Sequence, residues 1–98
     1  MLHMIVSMIQ FIIEMPEVFS IKEKRRIVKS LKDRIQHRYR VSIAEVDLLD
    51  SLRFAQIGAA KVTNSKQFGD QVMHKILAFV EENISGRLVD AKIMSEQF

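Results

Sequence analysis

From Ile21 to Tyr39 the apolar residues return at helical spacing. Ile21, Val28, Leu31, Ile35 and Tyr39 fall on one stripe, and Ile27 lies at its edge. Such a stripe is stable only when packed on another apolar surface, so the rest of the chain has to supply one. The start is marked as well: Ser20 is a good N-cap, and Glu23 follows three positions later, the pattern of a capping box. Lys24 falls inside the stripe. Near the first turn it is expected to lay its methylenes on apolar surface and keep its ammonium in water.

The flanking segments read as strands and a second helix. Leu2 to Met15 is rich in Ile, Val and Phe. Its apolar residues fall on both parities (Ile5, Ile9, Phe11, Ile13; Val6, Met8, Ile12), so this strand expects cover on both faces. Met15-Pro16-Glu17 ends it, because proline cannot donate to a ladder. Val41 to Leu48 and Arg53 to Thr63 form a hairpin around Asp50-Ser51. Asn64-Ser65 caps a helix that runs to about Asn83, with Phe68, Val72, Ile76, Phe79 and Val80 as its buried face. Gly86 ends that unit, and Arg87 to Ser95 is the last strand. The order strand–helix–strand–strand–helix–strand predicts an α+β ferredoxin-like sandwich. It is a single domain over residues 1–98, with a four-stranded antiparallel sheet, both helices on one face and the other face open.

The chain has no cysteine, which rules out disulfides, thiolate metal sites and a cysteine nucleophile. The longest apolar stretch, Met4 to Met15, is broken by Ser7, Gln10 and Glu14 and is too short to cross a bilayer as a helix. It has neither the basic flank nor the cleavage site of a signal peptide. The expectation is a soluble cytoplasmic protein with no membrane partner.

Charge is unevenly placed. Lys22 to Arg40 holds nine Lys/Arg against two acids, a local charge of +7, while the remainder carries six basic and ten acidic residues, or −4. Such asymmetry points to an anionic partner. Lys22, Arg25, Lys29 and Lys32 follow a 3-4-3 spacing with Arg26 beside them, a ridge along one flank of the helix. Arg34 and Arg38 fall on the other flank. Clustered cations at this spacing meet phosphate backbones. The plainer alternative is a solvated face that keeps a small protein soluble.

Other constellations are weaker. Glu45 and Asp47 share a face of the second strand, with Asp50 in the turn, but an acidic strand edge or salt bridges to Arg53 and the first helix explain them better than a metal or acid–base site. His3, His37 and His74 lack metal-ligand spacing, and His74 follows Asp70 by four, an ordinary surface pair. No phosphate loop or nucleophile motif is present, so no reaction, cofactor or small-molecule substrate is assigned and a non-enzymatic role is expected. The third strand offers Phe54 and no second aromatic, which argues against base stacking on the open sheet. Ala55, Ile57, Ala59 and Ala60 on that strand, with both parities of the first, suggest a covered sheet surface and a homo-oligomer formed through the sheet or an edge strand.

The stretch SIKEKRR from Ser20 to Arg26, then Ser30-Leu31, VSIAEVD from Val41 to Asp47, Asp50, Ile57-Gly58 and Asn64 resemble the bacterial YlxP-like family in order and spacing. Leu52 stands where many members carry tryptophan, and Ser7 where glycine is usual. The resemblance implies a ferredoxin-like fold and a family of unestablished biochemical function. Its genes often neighbour those for translation initiation and ribosome maturation, so RNA or the ribosome becomes the leading anionic partner. The nucleic-acid-binding candidates are Lys22, Arg25, Arg26, Lys29 and Lys32. The alternative is a protein-interaction module docking through the open sheet.

Overall fold

The computed structural model describes residues 2–98. Six elements follow in the expected order: β1 (Ile5–Glu14), α1 (Ile21–Tyr39), β2 (Ser42–Asp47), β3 (Phe54–Thr63), α2 (Lys66–Asn83) and β4 (Arg87–Gln97). The strands form one sheet in the order β2-β3-β1-β4, and every neighbouring pair is antiparallel. With two helices packed against it, this is the ferredoxin-like α+β fold read from the element order. α1 lies over β2, and α2 over β4 and β1.

Local chemistry sets the helix ends. The Ser20 hydroxyl accepts from the Glu23 amide at 3.1 Å, and the Glu23 carboxylate accepts from the Phe19 amide at 3.0 Å, one residue outside the reciprocal box. α1 stops at Arg40, which takes a left-handed conformation (φ 53°) and donates to the Gln36 carbonyl. The Lys61 ammonium, reaching over from β3, donates to the carbonyls of Tyr39 and Arg40 at 3.0 and 3.1 Å, a cation on the negative end of the helix. Ser65 caps α2 by accepting from the Phe68 amide.

The core lies between the sheet and the helices. β1 contributes Ile9, Phe11 and Ile13, β3 contributes Ala55, Ile57 and Ala59, α1 contributes Val28, Leu31 and Ile35, and α2 contributes Val72, Met73, Ile76 and Val80. Two glycines mark close approaches. A Cβ at Gly69 would collide with the hydroxyl of Ser7, and one at Gly86 would collide with the Glu14 carbonyl. Ser7 is buried under α2 and shares a hydrogen bond of 2.6 Å with Ser95, which in turn donates to Asp70. The Ser7 hydroxyl is thus housed by a glycine on the helix above it.

Three expectations about packing need correction. Ala55, Ile57 and Ala59 face the helices. The open face of β3 is made instead by Phe54, Gln56, Gly58, Ala60 and Val62, so only Ala60 of the four residues belongs to it. On β1 the odd positions are covered by helices. Val6, Met8 and Ile12 lie on the open face, which no other element among the described residues covers. Phe68 is 51% exposed rather than buried. Gly69 and Met73 take its place, because the buried arc of α2 centres roughly 90° around the helix from Phe68.

The ends of three strands are clamped together on the open face. Glu14 accepts from Arg53 at 2.8 Å and from Arg87 at 3.3 Å. The Arg53 bond first, and then the Arg87 bond, holds its carboxyl below the ordinary glutamate value. A lowered folded pKa means that unfolding takes up a proton in acid. The stabilisation is therefore present above the unfolded value of about 4.3 and is lost as pH falls through the folded one. Glu14→Gln is expected to flatten the fall in urea midpoint between about pH 5 and pH 3. Identical acid slopes for the two proteins would show that the clamp contributes nothing.

Candidate nucleic-acid interface

α1 is oriented by contacts on two sides. On one flank the Arg34 guanidinium lies 5.7 Å from the Phe79 ring centroid, and that of Arg38 lies 5.4 Å from Phe79 and 5.6 Å from Tyr39. That flank therefore faces α2. Lys22, Arg25, Lys29 and Lys32 fall on the opposite flank, beside the sheet edge formed by β2. Lys22, Arg25 and Lys29 are exposed, and Lys32 is half-buried. Lys29 is paired with Asp33 at 2.7 Å, both side chains well exposed. Among the described residues no carboxylate lies within ion-pair distance of Lys22, Arg25, Arg26 or Lys32. Glu23, the other acid of the segment, is occupied at the N-cap.

Arg26 stands apart from the other four. It lies further round the helix and, with Ser30 and Arg34, borders a cleft of about 300 Å³ closed by Pro16 and Gly86. The coherent ridge is therefore Lys22, Arg25, Lys29 and Lys32, with Arg26 at its margin.

Lys24 departs most from expectation. Its side chain is 1% exposed, and its ammonium donates to the Leu48 carbonyl at 2.7 Å and sits 3.2 Å from Glu45 Oε2. The ammonium is buried, not wet, because the β2–β3 turn folds back over it. Leu48 is left-handed (φ 62°), which aims its carbonyl inward. Glu45 Oε2 is itself buried and has no hydrogen bond beyond this ion pair. Glu45 and Asp47 do not share a face: the β2–β3 register shifts between them, so Glu45 turns under α1 while Asp47 is exposed and accepts from the Leu48 amide. His74 also departs from the expected surface pair, since its Nδ1 meets the Asp70 carbonyl at 2.8 Å while the Asp70 carboxylate accepts from Ser95. Among the described residues no three His, Asp or Glu side chains come together as a metal site would require, and no helix is long and apolar enough to cross a membrane.

Residues 6–93 match the family model described as "Protein of unknown function (DUF503)". The chain belongs to that family. It is 32% identical over 62 residues to the "Uncharacterized protein YlxP" of Bacillus subtilis (strain 168), covering 63% of this chain and 67% of the relative. The resemblance read from Ser20–Arg26 and Val41–Asp47 is thereby borne out. A de novo designed protein, Ferredog-Diesel, superposes with a TM-score of 0.48 at 10% identity, covering 91% of this chain and 83% of its own. Within the DUF503 chain described here, the cluster that sequence reasoning missed lies between the helices, where Arg38, Lys61 and Lys75 meet Tyr39, Phe68 and Phe79. Its signal was present: Phe68, Val72, Lys75, Phe79 and Glu82 form one straight stripe of α2.

Removing one partner of the buried pair leaves the other uncompensated. Lys24→Met is expected to destabilise the protein by about 3 kcal/mol, with part recovered in Lys24→Met/Glu45→Gln. Urea denaturation of the three proteins checks this, and a Lys24→Met midpoint equal to that of the parent would refute the anchoring role.

Proposed function

We propose that this protein is a non-enzymatic accessory factor that binds the phosphate backbone of RNA through α1, with ribosomal RNA the natural setting suggested by the family resemblance. One observation carries this reading. Lys22, Arg25 and Lys32, with Arg26 at the margin, point off one helix with no carboxylate among the described residues within ion-pair distance, although acids outnumber bases in the rest of the sequence. Lys29 joins them at small cost, since an exposed pair such as Lys29–Asp33 is worth about 0.5 kcal/mol at most and yields readily to a phosphate. Contacts of this kind position a strand and carry little sequence preference. An unstructured RNA oligonucleotide is expected to bind with an affinity that falls with salt at a log–log slope of about −3 for four phosphate contacts. Reversing Lys22, Arg25, Lys29 and Lys32 to Glu should abolish that binding and leave the circular dichroism spectrum unchanged. Undiminished binding in this folded variant would remove the proposal.

A second reading is supported by the open sheet face. Val62 and Val46 are 63% and 49% exposed and flank a cross-strand row of Ser42, Ala60, Met8 and Met94. The occupant that suits it is a second copy of this chain. Lys92 and Glu96 share that face on either side of Met94, so an antiparallel copy sets each against its opposite charge. Light scattering is expected to give about twice the monomer mass of 11.4 kDa, reduced to the monomer by Val62→Asp. A monomer at millimolar concentration would eliminate this second surface.

A further inference from the structure

We infer that the cleft between the C-terminal half of α1 and the outer stripe of α2 is a binding site for a nucleoside 5′-phosphate unit, separate from the basic ridge. The cleft is open to solvent and offers about 570 Å³, within the range of small-ligand sites. Its lining combines exposed ring surface with cations. Phe68 lies on its wall, half in solvent, at a position where the core does not need it. Tyr39 and Phe79 meet edge to face at 5.9 Å, and the Arg38 guanidinium covers both. A flat ring stacked on Phe68 would bury the half of that side chain now facing water, and base–aromatic stacking is the common use of such a platform.

Charge then selects the rest of the ligand. Arg38, Lys61 and Lys75 line the cleft against one carboxylate, Glu82. Lys61 already donates to the carbonyls of Tyr39 and Arg40 at the end of α1, which offsets the negative helix end that would otherwise repel an anion at this spot. Arg38 and Lys75 remain for a phosphate. Glu82 is poorly placed for an anion but well suited to accept hydrogen bonds from ribose hydroxyls. An aromatic ring, an anion and a hydroxyl-bearing linker together describe a nucleoside phosphate, whether free or as one unit of an RNA strand.

The test compares ligands and variants by NMR titration. AMP is expected to bind more tightly than adenosine, ribose 5-phosphate or phenyl phosphate, each of which lacks one of the three recognised parts. Phe68→Ala should weaken binding at least about fivefold, the low end of base–aromatic stacking, and Phe68→Tyr should restore it. Lys75→Glu, also on the surface, should weaken it without touching a ring, and serves if the alanine variant folds poorly. If AMP fails but a single-stranded RNA hexamer binds with the same Phe68 dependence at fixed salt, the site takes its nucleotide from a strand. Phenyl phosphate binding as tightly as AMP would overturn the nucleoside assignment. So would Phe68→Ala matching the parent with both AMP and the hexamer, even if the α1 charge reversal still abolishes the salt-sensitive RNA binding.

Discussion

The rotation of α1 about its own axis decides what this protein presents to its surroundings. Two contacts fix it. Val28, Leu31 and Ile35 press into the core, and Lys24, one turn before Val28, buries its ammonium between the Leu48 carbonyl and Glu45. Hydrophobic packing alone tolerates some rolling, because apolar contact is not directional. A buried ammonium does not, since moving it off its two acceptors would strand charge in a dry site. With the roll fixed, one flank of the helix must face α2 and the other must face water beside β2. The sorting of Arg34 and Arg38 onto aromatic rings, and of Lys22, Arg25 and Lys29 into solvent with Lys32 half-buried beside them, follows from that single constraint.

The element order and the fold were legible because they rest on local signals: helical periodicity, Ser20 and Ser65 as caps, Pro16 as a breaker and Gly86 as the end of the second helical unit. What was not legible depends on contacts made far along the chain. Lys24 looked like a snorkelling lysine because the sequence does not show that Leu48, twenty-four residues on, turns its carbonyl inward. Glu45 and Asp47 looked like neighbours because alternation assumes an unbroken register, and the register shifts between them. The parity of Ala55, Ile57 and Ala59 was misassigned because small residues fit either face of a sheet, and the helices decide which one. Phe68 was misread because a buried arc has an edge, and hydrophobicity alone does not place a residue inside or outside it.

The candidate sites follow the same division. Of the five basic residues named from sequence, four share a flank, and Arg26, expected beside them, instead borders the Pro16 cleft. The helix–helix cleft was missed because its parts come from three elements, α1, α2 and β3, which only the fold brings together. Lys61 shows this most plainly. In sequence it is an isolated lysine at the end of an alanine-rich strand, and in the fold it closes the C-terminus of α1.

A net charge of +3 describes this molecule poorly as a partner for polyanions. The domain is drawn out to 52 Å along its longest axis and is only about 22 Å across. At physiological ionic strength, charges further apart than about 8 Å scarcely act on one another through water. Acids at the far end of the sheet therefore neither weaken nor steer what approaches α1, and a phosphate there meets the local charge of the helix. The two acids of the helix itself are Asp33 and Glu23. Glu23 is held at the helix start by the Phe19 amide, and Asp33 by Lys29. What remains unopposed is a short row of cations, held in one direction by a lysine that no solvent reaches.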